Sequence, residues 1–134
     1  MKTLLTLLLG TTVITSDLIV VDGDTVRVDS QTYRLVGFDT AESGDRAKCP
    51  AEQVLAARAT SRLQQLLATG KTKLERVSCA CRPGTEGTPN CNFGRRCAVL
   101  TVNGRDVGEI LINEGLAHPF VCGAMGCPRK KPWC

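Results

Sequence analysis

The stretch "LIVVDGDTVRVDSQTYRLVGFDTAES", residues 18–43, alternates short β-rich runs with turn residues. Residues 18–21, 25–28 and 32–38 carry the strand-forming side chains, and Asp22-Gly23-Asp24 forms a turn between the first two runs. Three short strands joined by tight turns form a meander. The sequence therefore predicts a small antiparallel sheet or barrel at the start of the fold.

Three charged residues stand at the end of the third predicted strand. Arg34 lies within it, and Asp39 and Glu42 follow it. Strict alternation along a strand would place Arg34 and Asp39 on opposite faces. For both side chains to reach one point, the strand must bend or end near Gly37, where a bulge forms easily.

The hydrophobic period becomes helical from residue 50 onwards. Pro50 suits the first helical position and Gly70 suits the C-terminal stop. Asp106, with Glu109 three residues later, resembles a capping box that begins a second helix. The apolar face predicted for the first helix comprises Ala51, Leu55, Ala59, Leu63, Leu66 and Leu67.

Two further strands are predicted in "KTKLERVSC" (71–79) and "GRRCAVLTV" (94–102). Between them, residues 80–92 are rich in Gly, Pro and Thr, so we expect an exposed loop that Cys81 and Cys91 can staple. Five predicted strands and two predicted helices make the expected class α+β and mainly β.

The chain holds eight cysteines among 134 residues. An even number favours four disulfides, whose 105 pairings the sequence cannot separate. A zinc site and free thiols are the alternatives, although Cys79-x-Cys81 and Cys122-x4-Cys127 lack the spacing of a zinc knuckle. The tail 122–134 has no periodicity, and we expect it to be disordered unless its cysteines tie it down.

The N-terminus "MKTLLTLLLGTTVITS" combines one lysine with a leucine-rich run. It is either a signal peptide or an N-terminal strand that leads into the meander, and the cysteine content favours export. We therefore expect a secreted or periplasmic protein, with no membrane association in its mature form. Three segments follow: 1–15 as leader or strand, 16–121 as the main domain, and 122–134 as a Cys-rich tail.

The composition restricts the possible partners and catalytic groups of the protein but does not identify them. The net charge of +4 suits an anionic partner, and a hydrophobic content of 43% with 4% aromatics predicts a single aliphatic core. His118 is the only histidine, and the sequence contains neither a Ser-His-Asp set nor a P-loop. Histidine-based catalysis is therefore not expected.

Short charged pieces at 22–25, 34, 39–42 and 93–96 together describe a phosphodiester-cleaving site, although each alone is common on protein surfaces. Carboxylates and carbonyls hold a hard divalent cation, and a carboxylate outside that duty can act as general base. Arginines offer bidentate donors to phosphate and keep their charge. The residues that fill these roles are Asp24, Asp39, Glu42, Arg34 and Arg95.

In this order the pieces resemble the thermonuclease (staphylococcal-nuclease-like) family. The resemblance covers residues 15–121, through "VVDGDTVRV", "YRLVGFDTAES", the Pro-led helix and "FGRRCAVLTVNGRDVGEILINEGLA". It implies a five-stranded OB-fold β-barrel with two or three packed helices, to which this chain adds the Cys-rich tail.

The resemblance also implies a metal site and a base. Asp24 and Asp39 correspond to the calcium-binding carboxylates, and the backbone carbonyl of Thr40 to a third protein ligand. Glu42 corresponds to the general base that positions the attacking water. Asp22 stands where the family has a second acid close to the metal.

The substrate contacts implied by the resemblance come from three residues. Arg34 and Arg95 correspond to the phosphate-binding arginines, and Phe93 stands where an aromatic ring contacts the nucleotide. Phe120 is the one nearby candidate for the aromatics that line the nucleotide pocket. Ala41 replaces the usual proline, so the turn after Asp39 should be less rigid.

The expected function is a Ca²⁺-dependent nuclease that acts on DNA and RNA with little sequence preference and favours single-stranded or locally unpaired substrate. No obligate protein partner is expected. One alternative is a barrel that binds nucleic acid or a protein without cutting it. Another is a structural, disulfide-rich domain with a remnant site.

Overall fold

A computed structural model describes residues 13–14 and 17–134, so most of the predicted leader or N-terminal strand lies outside the described residues. Nine strands and two α-helices are present within them. The strands are β1 Val13–Ile14, β2 Leu18–Asp22, β3 Thr25–Val28, β4 Gln31–Leu35, β5 Gly37–Asp39, β6 Thr72–Val77, β7 Arg96–Val102, β8 Arg105–Asp106 and β9 His118–Phe120. The helices are α1 Pro50–Thr69 and α2 Val107–Asn113, and short 3₁₀ turns occur at Gly44–Arg46 and Asn92–Gly94.

The main sheet is mixed. Its strand order is β1-β6-β7-β4-β3-β2, and β8 adds to β7. β4 and β7 run parallel, whereas the other neighbours are antiparallel. β5 leaves this sheet and pairs with β9 in a separate two-stranded sheet. Strand pairing among the described residues does not close into a barrel, and the fold is α+β and mainly β, as predicted at that level.

The predicted meander is confirmed in β2, β3 and β4. Val20 pairs with Val26, and Val26 in turn pairs with Tyr33. The register of β2 shifts between Val20 and Asp22, and an irregularity of this kind bends the end of a strand away from regular pairing. The turn that follows carries Asp24 at its far side.

The third predicted strand, residues 32–38, is not continuous in the structure. β4 ends at Leu35, and β5 begins at Gly37, whose φ is +95°. This backbone conformation favours glycine because it has no Cβ, so the chain can turn sharply out of the main sheet at this position. The break lies where the sequence required a bend, and it places Asp39 in a different sheet from Arg34.

The core is aliphatic. α1 packs against β2, and α2 packs against β5, β7 and α1. Each fully buried leucine stabilises the fold by about 1.5–3 kcal/mol relative to exposure. The largest fully buried side chains are one aromatic ring, Phe38, and five leucines, Leu35, Leu63, Leu74, Leu100 and Leu111.

The buried line of α1 differs from the prediction in its first turns. Ala51 is exposed and Leu55 is only half-buried, whereas Glu52 and Ala56 are buried. The rest of the predicted face agrees with the structure. Ala59, Leu63 and Leu66 are buried, and Leu67 packs against the core. The physical reason is that the first turn of α1 packs against a loop, and the backbone N–H groups of that loop require a carboxylate.

Four disulfides are present, and the described residues contain no free cysteine. The pairs are Cys49–Cys134, Cys79–Cys97, Cys81–Cys91 and Cys122–Cys127. The disulfide prediction is confirmed, and the exposed loop is stapled near its ends as expected. No helix in the described part of the chain is long and apolar enough to cross a membrane.

Gly37→Ala should destabilise the protein by about 1–3 kcal/mol, because alanine is strained at this φ. No atom lies within 4 Å of the position that its Cβ would take, so the cost is conformational and not steric. Urea denaturation measures the loss. Gly123→Ala is the matched control, since Gly123 has equal space and an ordinary φ. Equal stability of the two variants would show that the bend requires no glycine.

Candidate active site

The turn between β2 and β3 positions Asp24 in a buried setting. The amide of Thr40 donates a hydrogen bond of 3.1 Å to Asp24 Oδ2, and the hydroxyl of Thr25 lies 3.3 Å from Oδ1. The amide of Asp24 itself donates to Asp22 Oδ1 at 3.1 Å. These contacts join the first turn of the meander to the segment that follows β5.

Arg34 lies between the two buried aspartates. Its Nη2 is 3.3 Å from Asp24 Oδ2 and 3.6 Å from Asp39 Oδ1. The same guanidinium donates hydrogen bonds to the carbonyls of Leu35 and Phe38, on either side of the Gly37 bend. Arg34 therefore holds three chain segments together through one buried charge.

Asp39 contains an incompletely satisfied oxygen. Its side chain is buried, and Oδ1 accepts no hydrogen bond of good geometry from the described residues, although the ammonium nitrogen of Lys130 lies 3.1 Å away. A buried anionic oxygen is stable only beside positive charge. Asp39 Oδ1 is therefore suited to a cation.

The oxygen donors of Asp24 and Asp39 are of the chemical type that a calcium site uses. No group of three or more His, Cys, Asp or Glu side chains in the described chain could hold a metal. The predicted set needs only two, because it comprises these two carboxylates, the Thr40 carbonyl and solvent. Oxygen donors of this kind are those that Ca²⁺ prefers.

Glu42 follows on the turn after Asp39 and is half-buried. Its Oε2 lies 3.4 Å from Arg46 Nε, and its Oε1 lies 3.5 Å from Lys130 Nζ. Its backbone amide donates a hydrogen bond of 3.1 Å to Glu52 Oε2. The carboxylate is thus open to solvent, while its backbone is fixed to helix α1.

Glu52 was not predicted from the sequence. It is only 4% exposed, and its Oε1 accepts a 3.0 Å hydrogen bond from the amide of Lys48. One carboxylate therefore fixes both ends of the loop from Glu42 to Lys48. The helix N-terminus stabilises its charge. An acid in the first helical turn is too common in sequences to indicate this role.

Arg95 approaches from the start of β7 and is half-buried. Its Nε donates to the carbonyl of Asn92 at 2.9 Å, and its Nη1 donates to the Thr25 hydroxyl at 3.1 Å. Burial first, and then the charge of Arg34, lower the pKa of the Arg95 guanidinium. Phe93 is 85% exposed, and its ring centroid lies 5.8 Å from the Arg95 guanidinium carbon.

Some of the predicted site residues contact one another directly, and the others are connected through a third residue. Arg34 touches Asp24 and Asp39, whereas Glu42 is linked to Asp39 through Lys130, and Arg95 to Asp24 through Thr25. The two arginines border different cavities. Arg34 and Phe120 line one of about 410 Å³, and Arg95, Phe93 and Asp22 line another of about 400 Å³.

Burial and neighbouring charges shift the pKa values of Asp22 and Asp24, the two aspartates of the first turn, in opposite directions. Burial, assisted by the charge of Asp24, raises the pKa of Asp22 to about 6. Burial also raises the pKa of Asp24, but the charge of Arg34 and hydrogen bonds from Asp22 and Thr40 more than offset it, so that pKa lies below 3.8. Asp24 is therefore the ionised partner of the pair.

No protein-family model matches the chain, and no curated protein matches it.

Glu52→Ala should lower the free energy of unfolding by about 2–4 kcal/mol, because two amide donors lose a charged acceptor. Chemical denaturation measures the change. Glu109→Ala is the control, since Glu109 also lies in the first turn of a helix but is exposed. If both variants lost the same stability, the loop would not depend on Glu52.

Asp22→Asn should raise stability only at higher pH. Because the pKa of Asp22 in the folded state is about 6, above its ordinary 3.8, the stability contributed by its neutral form is present below pH 3.8 and lost as pH rises through 6. We expect a gain of about 1–2 kcal/mol at pH 7–8, discounted for solvent screening, and none at pH 3.

The measurement is a pH series of urea melts with chelator present throughout. Exposed Asp17 provides the control substitution Asp17→Asn. A constant difference between Asp22→Asn and the parent protein across the whole series would contradict the burial of an ionised Asp22.

Proposed function

We propose that this protein is a Ca²⁺-dependent nuclease that hydrolyses phosphodiester bonds of DNA and RNA with little sequence specificity. The observation that carries the proposal is the cluster of Asp24, Asp39 and Arg34, with Glu42 on the adjoining turn. Two buried carboxylates beside an arginine and a solvent-facing carboxylate provide the charges that phosphodiester hydrolysis requires.

Asp24, Asp39 and the Thr40 carbonyl would hold the Ca²⁺. When bound, the ion offsets negative charge on the scissile phosphate and polarises its oxygens. Asp24 is suited to this role, because its lowered pKa keeps it ionised across the physiological range. Asp22, through its hydrogen bond with the Asp24 amide, orients the turn that presents this carboxylate.

Glu42 acts as the general base. Its half-buried carboxylate can accept a proton from a water molecule while the oxygen of that water bonds to phosphorus. The ester P–O bond then breaks, and the leaving oxygen takes a proton from solvent. Glu52 assists indirectly, since it fixes the backbone of Glu42.

The two arginines contribute differently. Arg34 donates hydrogen bonds to two carbonyls and forms ion pairs with two carboxylates, so it assembles the site in addition to its proposed contact with the phosphate. Arg95 donates through Nε and Nη1, and the described residues provide no acceptor for its Nη2. Arg95 is therefore the freer donor to the charge that develops on phosphate oxygens.

The proposed substrate agrees with the fold and with an exposed ring. We propose that β2, β3, β4, β6 and β7 are the five strands of an OB-type barrel, in which the third and the fifth in chain order, β4 and β7, pair in parallel. Folds of this kind bind single-stranded oligonucleotides. Phe93 stands exposed beside Arg95, where an unpaired base can stack on it.

Export is proposed on the strength of the four disulfides, which persist in oxidising compartments. We place the protein outside the cell or in a periplasm.

A binding module that does not cut is the second candidate. Arg46 and Lys130 both lie within ion-pair distance of the Glu42 carboxylate, and each occupies one of the two oxygens that would receive a proton from the attacking water. Such a protein would retain affinity for single-stranded DNA through Arg95 and Phe93 while leaving the phosphodiester bonds intact.

Single-stranded DNA should be cleaved in the presence of Ca²⁺ and left intact in the presence of chelator, and Glu42→Gln should abolish most of the activity. A fluorescent oligonucleotide assay measures cleavage, and fluorescence anisotropy measures binding in parallel. Cleavage that persists in chelator would exclude the metal role. Binding without cleavage by the parent protein would favour the second candidate.

Arg95→Ala should reduce the cleavage rate by roughly 10²–10³-fold, because a donor to the transition state is removed. Arg96→Ala is the matched control, since Arg96 is adjacent and pairs with Glu86 instead. Arg34→Ala should lose as much activity, and a thermal melt must accompany it because Arg34 also holds the site together. Undiminished rates for Arg95→Ala would remove it from the phosphate contact.

A further inference from the structure

The last seven residues, 128–134, form a segment that we call the strap. The Cys122–Cys127 disulfide lies just before it, and Cys134 at its end is bonded to Cys49, which precedes helix α1. The Trp133 ring stacks on His118 with centroids 3.7 Å apart and planes 9° apart. The strap is thus anchored on both sides.

Between these anchors the strap brings Lys130 to the candidate site. Its ammonium nitrogen is 3.1 Å from Asp39 Oδ1 and 3.5 Å from Glu42 Oε1, and it lies 5.7 Å from the centroid of the Phe120 ring. Half of its side chain remains exposed. One cation therefore bridges the predicted metal ligand and the predicted base.

The contact falls on the Asp39 oxygen that lacks a well-formed hydrogen bond. An ammonium and a calcium ion at the same oxygen would repel each other strongly in a buried setting. Lys130 therefore supplies positive charge at the proposed metal-binding oxygen of Asp39 and at the Glu42 carboxylate.

We propose that Lys130 is a tethered competitor for the cation site, and that Ca²⁺ binds Asp39 only when the strap moves Lys130 away. The inference rests on the proposed function, because it assumes that Asp24 and Asp39 bind the metal. Its consequence is that the chain restrains its own activity through its C-terminus.

The Cys49–Cys134 disulfide sets the strength of this competition. Only three residues separate Lys130 from Cys134. A short tether gives the ammonium an effective concentration in about the millimolar range at the acids. Reduction by a dithiol would convert the disulfide to two thiols and oxidise the dithiol, and the strap would then be held beside helix α1 only by noncovalent contacts, namely the Trp133 stack and the Lys130 ion pairs.

Calcium titration calorimetry, without nucleic acid, tests the competition on the folded protein. Lys130→Met should bind Ca²⁺ roughly three- to tenfold more tightly than the parent, because the Lys130 ammonium no longer competes for Asp39. Lys131→Met is the matched control for a general change of charge, and its affinity should stay near that of the parent. Far-UV circular dichroism verifies that each variant is folded.

The tether has its own test. The double variant Cys49→Ser with Cys134→Ser keeps Lys130 and its charge, and it should gain Ca²⁺ affinity in the same direction as Lys130→Met. Parent-like affinity in this double variant would overturn the role of the disulfide. Equal affinities of Lys130→Met and the parent would overturn the competition itself.

A metal-free measurement examines the Lys130 contact. In chelator, acetylation followed by mass spectrometry should label Lys130 more slowly than Lys131, and Asp39→Asn should reduce the difference, since the Glu42 contact of Lys130 remains. Equal labelling of the two lysines in the parent would contradict the contact.

Failure of the inference and failure of the proposed function give different results. If Ca²⁺ binds and supports cleavage while Lys130→Met changes neither affinity nor rate, the nuclease assignment stands and the competitor role falls. If no variant binds Ca²⁺, the metal assignment falls and the competition falls with it. A weaker affinity of Lys130→Met for an oligonucleotide, with unchanged Ca²⁺ affinity, would make Lys130 a phosphate contact instead.

Discussion

The candidate site depends on the ion pairs and hydrogen bonds of the buried Arg34 guanidinium. It joins Asp24 from the first turn of the meander to Asp39 from the separate two-stranded sheet, and it binds the carbonyls beside the Gly37 bend. Removal of one partner from a buried ion pair leaves an uncompensated charge, which is strongly destabilising. Fold and site are therefore coupled, because the contacts that hold the bend also hold the acids together.

A second layer of contacts controls how the acids are presented. Glu52 fixes the backbone of the Glu42 loop from the start of α1, and the strap adds Lys130 from the opposite end of the chain. Cys49 lies at the start of that helix, and its bond to Cys134 ties the end of the strap to this point. The disulfide thus connects the loop that carries Glu42, the proposed base, to the strap that carries Lys130.

Much of the fold could be predicted because its signals are local. The period of four and three residues predicted α1, and the turn residues at 22–24 predicted the hairpin between β2 and β3. The same reasoning indicated a bend at Gly37, although it assigned one strand where the structure has two. Which strands become neighbours, including the parallel pair β4 and β7, depends on long-range packing that no local pattern encodes.

For the candidate site, the sequence by itself determined the chemical types: carboxylates at Asp24, Asp39 and Glu42, and arginines at two further positions. It also determined the even cysteine count but not the pairing. Only the tertiary structure decided that Glu52 is a buried acceptor and that Lys130 reaches Asp39. The reason is physical: Asp24, Arg34, Asp39 and Glu42 lie in one stretch of strands and tight turns, whereas these two contacts depend on helix packing and on a disulfide with a sequence separation of 85.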